Sequence, residues 1–478
     1  MCSYIRTKRG FYRVAGQTDL AFDVARFAAG LKFEELSEPV VAAVKRNIGD
    51  TLSCALAGSS APGVSEVEEL VVGWGGAPQA DVFVLGHKVP AHNAAWLNSG
   101  MAHARDYDDT HDSAILHAGV SSVPAAIAAC QLQADVSGAE LIASVAAGLE
   151  IICRLGVAVQ VDIVESGFIY SSLLGYFAAT VAAGRALRLN AEEMLNALGI
   201  VYSSAAGNHQ VTRDASLMKR LQPGLAAQAA VVAAQLARTG VRGAQEVFEG
   251  ADGFFRVYFG GRVSPDAVRE QLGERYELLN LSYKPYPCCR DTHSSIDAAL
   301  AAQRARYLPA DEVKSIRVGV TGPGYQMVCV PEEVRRAPRT VVEAQFSIPF
   351  AVATAWIDGP PVIAHFTEEG VKRPDILALA ERVTPYVDED IDRDWSRFVT
   401  PATMQVTYKD GTDAQLRVDY AKGHPHSLMS NDEIARKYTD CAAYAARKMP
   451  SDTAERLMVE VDRLDQAASI GDLIEVVR

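Results

Sequence analysis

Apolar residues recur at spacings of three and four almost without interruption from about residue 19 to residue 276. That period dictates α-helix, and it does so over more than half the chain. Segment 36–58, LSEPVVAAVKRNIGDTLSCALAG, shows it most fully, with Ser37 placed to cap its start and Gly58 to end it. Further helical runs cover roughly 90–104, 121–133, 138–160, 172–187, 191–204, 214–239 and 264–275. Asn190, followed by Ala-Glu-Glu, is a strong helix start, with acidic residues in the first turn. Alanine, the best helix former, is abundant throughout this region. The apolar faces are wide, so the helices must bury them against one another. No fixed-period repeat is present.

The texture changes near Leu281. Pro285 and Pro287 break the pattern, and a helix then begins near Thr292. VKSIRVGVTGPG (313–324) alternates like a strand and ends in a Gly-Pro-Gly turn. Helical segments follow at 341–357 and 373–383, and MQVTYKDGTDAQLRVDYA (404–421) reads as a hairpin around Asp410-Gly411. From Ser430 the pattern is helical to the end. The expected fold is mainly α. A large all-helical domain (1–280) carries an inserted, smaller α+β lid domain (281–425), and C-terminal helices (426–478) return to the helical domain. A chain of 478 residues is long enough for such a division. A cleft between the two domains is the natural place for a site.

The formal net charge of −13 argues against nucleic acid or an anionic membrane as partner, since both require basic patches. A small anionic substrate remains compatible, because a few local Lys and Arg suffice to hold one. The eight cysteines have neither zinc nor iron–sulfur spacing, and the adjacent pair Cys288–Cys289 reads as structural packing. The N-terminal residues lack the apolar core of a signal peptide. The most hydrophobic run, 141–161, contains Glu150 and Arg154 and so falls short of an uninterrupted membrane span. These features point to a soluble, cytoplasmic protein.

Four polar islands interrupt the apolar pattern. HARDYDDTHDSAILHAG (103–119) packs three histidines and four aspartates into seventeen residues. SGFIYSSLLG (166–175) carries Tyr170, Ser171 and Ser172. GNHQVTRDASLMKRLQPG (207–224) carries His209, Arg213, Lys219 and Arg220. YKPYPCCRDTHSSIDAAL (283–300) carries Lys284, Arg290 and His293 at a helix start. Each has a plain alternative. Asp108, Asp109 and Asp112 can cap a helix. Lys219 and Arg220 can be a solvated face, and His293 a helix-start residue. Asp106 and Thr110 are four apart, with His103 one turn earlier. GxGxxG, P-loop, GxSxG and HExxH motifs are all missing.

Acid–base residues with fixed cations, and no nucleotide or metal motif, suit chemistry on a small carboxylate. Removing a proton beside a carboxylate builds negative charge that waiting cations must meet. An acid and a base on opposite sides each contribute roughly 10²–10⁴-fold. Lys219 could serve either way if burial lowers its pKa.

The islands, in this order, resemble the MmgE/PrpD family, which includes 2-methylcitrate dehydratase, cis-aconitate decarboxylase and iminodisuccinate epimerase. The matching pieces are HARDYDDTH (103–111), His117, GNHQ…MKRLQPGLAA (207–227), KPYPCCRDTHSSIDAA (284–299) and the hairpin with its helical tail. The resemblance implies a helical domain with an α+β lid, a homodimer, no metal or organic cofactor, and a site between the domains. It places catalytic positions on Asp106, His117, Lys219 and His293, with Thr110 and a lid tyrosine, Tyr325, binding substrate; the cations Arg220, Lys284 and Arg290 are expected to bind it as well. Where relatives often carry a histidine, this chain has Ile169, followed by Tyr170.

Three readings follow. The first is a lyase, a dehydratase or decarboxylase of a small di- or tricarboxylate. The second is an epimerase using Tyr170 and Lys219 as two bases. The third is a non-catalytic member that kept the fold.

Overall fold

A computed structural model describes residues 4–6, 12–14, 18–214, 216–395 and 401–478. Two hydrophobic cores organise them. The first gathers buried residues from Leu20 to Leu281 and takes in Tyr438 to Val477 from the C-terminal end. The second gathers Tyr286 to Tyr408.

At the centre of the first core, helices Ala91–His103, Gly119–Cys130, Gly138–Ala158, Gly175–Ala186 and Met218–Arg238 pack on one another. Small residues let them approach. A Cβ added to Gly224 would lie 2.5 Å from the Trp96 carbonyl oxygen. Gly58 follows the same logic. It is the last residue of helix Glu38–Gly58, but a Cβ there would sit 1.7 Å from the Met101 carbonyl oxygen. Its job is close packing, not a left-handed stop. Ser37 holds the N-cap position of that helix without a side-chain cap bond among the described residues.

Helix Gly138–Ala158 starts in a capping box between Ser137 and Glu140. By length and composition it could cross a membrane, contrary to the reading of 141–161, yet 94% of its most apolar window is buried inside the protein. Two of its three charged residues, Glu150 and Arg154, pair with each other in the core. Arg154 also donates to the carbonyls of Val268, Glu270 and Gln271. Those carbonyls are thereby withdrawn from helix formation. The helix expected over 264–275 accordingly shrinks to Pro265–Arg269.

The second core is built on a four-stranded sheet, in the spatial order Asp413–Val418, Ala402–Tyr408, Val313–Val320, Val383–Val387. The first two strands form the expected hairpin, with Gly411 at φ +86° in its turn. Strand Val313–Val320 pairs antiparallel with Ala402–Tyr408 and parallel with Val383–Val387. Ala402, Met404, Val406 and Tyr408 point inward, and helix His293–Ala305 packs on that side. Gly322-Pro323-Gly324 opens a short helix, Gly322–Val328, where a turn was expected. Thr321 caps it by accepting from the Gly324 N–H. The segment expected as one helix over 341–357 divides at Ser347, which caps a second helix, Ile348–Asp358.

Helices Asn431–Ala443 and Thr453–Asp462 lie against helix Glu38–Gly58. Lys437 reaches inward to Asp50 at 2.5 Å and to the Tyr107 carbonyl at 2.7 Å. The C-terminal end of the chain thus braces the polar loop at 103–119.

Candidate active site

Residues from all four polar islands line one cavity of about 710 Å³, open mouth included. Helix Ala91–His103 ends at the first island, and the chain then turns sharply. Asp106 takes φ +55°, a left-handed conformation that aspartate tolerates better than most residues. This turn aims its carbonyl and carboxylate at the same partner. Lys284 Nζ donates to the carbonyl at 3.0 Å and to Oδ1 at 2.9 Å. Lys219 Nζ, at the start of helix Met218–Arg238, lies 3.4 Å from Oδ1 and 5.3 Å over the Phe346 ring. Burial opposes ionisation of Asp106, but the two ammonium groups outweigh it and hold its carboxyl well below the usual range. Burial likewise opposes the charge on Lys284, and Asp106 and Asp108 reverse that, raising its pKa. Asp106 Oδ2 is buried and has no partner among the described residues.

Asp108 stands behind the cavity between two imidazoles. Its Oδ2 is 2.9 Å from Nδ1 of His103 and 2.9 Å from Nδ1 of His117. A carboxylate on Nδ1 fixes the tautomer and leaves Nε2 as the basic nitrogen. Burial pushes His103 down to about 4, so it is neutral at physiological pH. His117 is the more accessible of the two, at 17% side-chain exposure, and lines the cavity. These three side chains have the composition of a metal site, with ligand atoms within 4.8 Å of one another. The 2.9 Å separations, however, are direct contact distances, and the one to His103 is a hydrogen bond. Ligands about a tetrahedral zinc stand about 3.3 Å apart. The spacing therefore fits direct side-chain contact better than ligation of a shared metal.

Arg290 and Asp112 close another part of the wall. Arg290 Nη2 donates to Asp112 Oδ2 at 3.1 Å, and Nη1 donates to the Lys422 carbonyl at 2.8 Å. Thr110 donates its hydroxyl to Asp112 Oδ1 at 2.9 Å. Burial opposes the Asp112 charge, and Arg290 more than offsets it, so the carboxyl stays below its usual range. Of the three aspartates that could cap, only Asp109 does. It accepts from the N–H groups of Ala118 and Gly119 at 3.0 Å each, at the start of helix Gly119–Cys130.

The cavity therefore brings together Asp106, Thr110, His117, Lys219, Lys284 and Arg290. Four other expected residues lie off its wall. Tyr170 is buried against Phe259 and donates its hydroxyl to the Val161 carbonyl at 2.7 Å. Its neighbours Ile169 and Ser171 take the wall positions. His293 sits behind Arg290, with Nε2 3.3 Å from the Cys288 carbonyl. Burial and then Arg290 and Lys284 hold its pKa well below the ordinary value. Arg220 is buried and does not line the cavity. The Tyr325 hydroxyl donates to Glu332 at 2.8 Å, and Met327 faces the cavity in its place.

Family models match the chain over residues 23–265, as the MmgE/PrpD N-terminal domain, and over 286–466, as the MmgE/PrpD C-terminal domain. The chain belongs to the MmgE/PrpD family. Relatives named cis-aconitate decarboxylase run nearly its full length. That of Aspergillus terreus (strain NIH 2624 / FGSC A1156) is 26% identical over 472 residues, covering 95% of each chain. That of Homo sapiens is 28% identical over 457 residues, covering 91% of this chain and 90% of its own. That of Mus musculus is 24% identical, covering 94% and 91%.

Within this MmgE/PrpD cavity, Asp291, His209 and Cys289 also line the wall. Burial pushes the Asp291 carboxyl up to about 7. Cys289, which donates from Sγ at 3.6 Å, opposes the shift, and the Asp112 charge adds to it. Sequence reasoning passed over Asp291, although it adjoins Arg290 in the fourth island. Cys288 packs as expected, buried 3.1 Å from the Thr292 hydroxyl, whereas Cys289 turns to the cavity. Adjacent residues at a helix start point in different directions, and spacing alone does not say which points inward.

Proposed function

We propose that this MmgE/PrpD protein is a lyase that breaks a bond beside a carboxylate of a small organic acid. The observation that carries the reading is the convergence of Asp106, His117, Lys219, Lys284 and Arg290 on one cavity. Similarity to relatives named cis-aconitate decarboxylase supports it. His117, with Asp108 Oδ2 2.9 Å from its Nδ1, supplies an imidazole that can take or return a proton. Lys219 meets the negative charge that develops on the substrate carboxylate, while Lys284 holds Asp106 beside it. The unpartnered Asp106 Oδ2 accepts a hydrogen bond from the substrate. In a dehydration, one group removes the α-proton while another protonates the departing hydroxyl. In a decarboxylation, carbon dioxide leaves and the acid protonates the carbon left behind. We take the second core as a lid over the site in the first, and the protein as a homodimer that binds neither nucleic acid nor membrane.

An epimerase built on Tyr170 gains no support from a hydroxyl already committed to Val161. The test is turnover. Purified protein is incubated with a panel of mono-, di- and tricarboxylic acids, cis-aconitate and 2-methylcitrate among them. Carbon dioxide release and alkene absorbance are followed, with proton NMR of the products. At least one acid should lose carbon dioxide or water. Stereochemical inversion or solvent exchange across the panel, with no net bond cleavage, would refute the lyase.

A further inference from the structure

The cavity's charges nearly cancel. Among the described residues its cations are Lys219, Lys284 and Arg290, and two ionised carboxylates, Asp106 and Asp112, stand against them. Arg290 is taken up by Asp112, and Lys284 by Asp106. Lys219 is left sharing Asp106 at the longer distance of 3.4 Å. Histidines do not change the balance. His103 is neutral, burial and then Arg213 and Lys219 hold His209 below its ordinary value, and a charge on His117 or His111 would be offset by the carboxylate beside each, Asp108 or Glu277. Asp291 can only subtract. Among the lining residues the surplus is therefore at most one positive charge, and it lies at Lys219.

The remaining wall is hydrocarbon. Ile115, Ile163, Ile169, Met327 and Phe346 face the same space. An ionised carboxylate set against them would lose its water and gain no partner. Apolar groups placed there would instead release water favourably.

We infer that the cavity selects an acid with a single carboxylate, seated at Lys219, and an apolar body lying against Ile169, Met327 and Phe346. This rests on the reading of the cavity as a carboxylate site and narrows its substrate class. A tricarboxylate brings two charges that the wall does not match.

Calorimetry with unreactive six-carbon probes tests this: 3-methylpentanoate with one carboxylate, tricarballylate with three. At pH 7.5 the monocarboxylate should bind at least tenfold more tightly. Ile169→Lys and, independently, Met327→Lys each add a cation to the apolar wall. Either should move the ratio at least tenfold toward tricarballylate. Tighter binding of tricarballylate by the unmodified protein would overturn the inference while leaving the carboxylate site standing. Binding of neither probe would overturn both.

Discussion

Two of the buried clusters of opposite charges in the helical half of the molecule differ in how completely they are matched. Glu150 and Arg154 lie in the middle of helix Gly138–Ala158. Glu150 accepts from Arg154 and from the backbone N–H groups of Glu277 and Leu278 at 3.1 Å each. Arg154 spends its remaining donors on the carbonyls of the 268–275 segment. Asp106, by contrast, shares one oxygen between Lys219 and Lys284 and leaves the other without a partner among the described residues. The first cluster closes on itself and ties a segment down. The second faces a cavity with capacity to spare. A buried charge with every bond made reads as architecture, and one with bonds left over reads as a site.

The largest effect that would sharpen this contrast is on turnover. Lys219→Met should lower kcat/KM by about 10³-fold on whichever acid the panel identifies. The fold should tolerate it, because Lys284 still neutralises Asp106 at 2.9 Å. The stability change should stay within about 1 kcal/mol. Stopped assays beside thermal melts check both halves. A large drop in melting temperature with preserved specific activity would place Lys219 with the structural cluster instead.

Arg154→Met should do the reverse. It strands the Glu150 carboxylate in the core and releases the carbonyls that Arg154 gathers, at a cost of about 3–5 kcal/mol. Chemical denaturation should show that loss, while the folded fraction keeps its activity at low temperature. Since the released segment leads into the fourth island, an equal loss of activity in fully folded protein would mean that the two clusters are coupled.

A smaller contrast lies in pH. Burial raises the Asp291 carboxyl from 3.8 to about 7. Below about pH 4 both folded and unfolded chains hold that proton. Between those values the unfolded chain has lost it and the folded chain retains it, so stability falls as pH rises through the window. Asp291→Asn carries no such proton. Its stability should decline less steeply than that of the parent protein between pH 4 and pH 7. Melts across that range check the slope, and parallel curves would show Asp291 ionised at ordinary pH. Asp109, raised to about 6, adds a fall of the same sign in both proteins.

Much of this was legible in the residues. The helices from Glu38 to Arg238 follow from period and caps, and the hairpin from alternation around Asp410-Gly411. Strand Val383–Val387 was not, because five residues containing Pro385 carry no alternation that competes with the helical run before them. The short helix at Gly322 was hidden for a related reason. Gly-Pro-Gly is turn chemistry, and only the Thr321 cap turns it into a helix start. In the site, the islands predicted which segments meet but not which face each residue presents. His293 follows Arg290 by three residues and is screened behind it. Tyr325 is taken up by Glu332, an exposed partner seven residues on. Side-chain direction at the ends of short helices depends on packing that motif spacing does not encode.

The smallest expected effect concerns Tyr170. Its ring is buried, and its hydroxyl donates to the Val161 carbonyl at 2.7 Å. Tyr170→Phe removes that bond and leaves the ring in place against Phe259. The cost should be about 1 kcal/mol of stability. Turnover should stay within about threefold, since a proton-transfer group would cost at least tenfold more than that. A hundredfold loss of turnover in a stably folded variant would mean that the hydroxyl swings from Val161 into the cavity. The two-base arrangement with Lys219 would then return, and with it the case for an epimerase. Retained turnover leaves Tyr170 beside Glu150 and Arg154, as a polar group whose bond is already made.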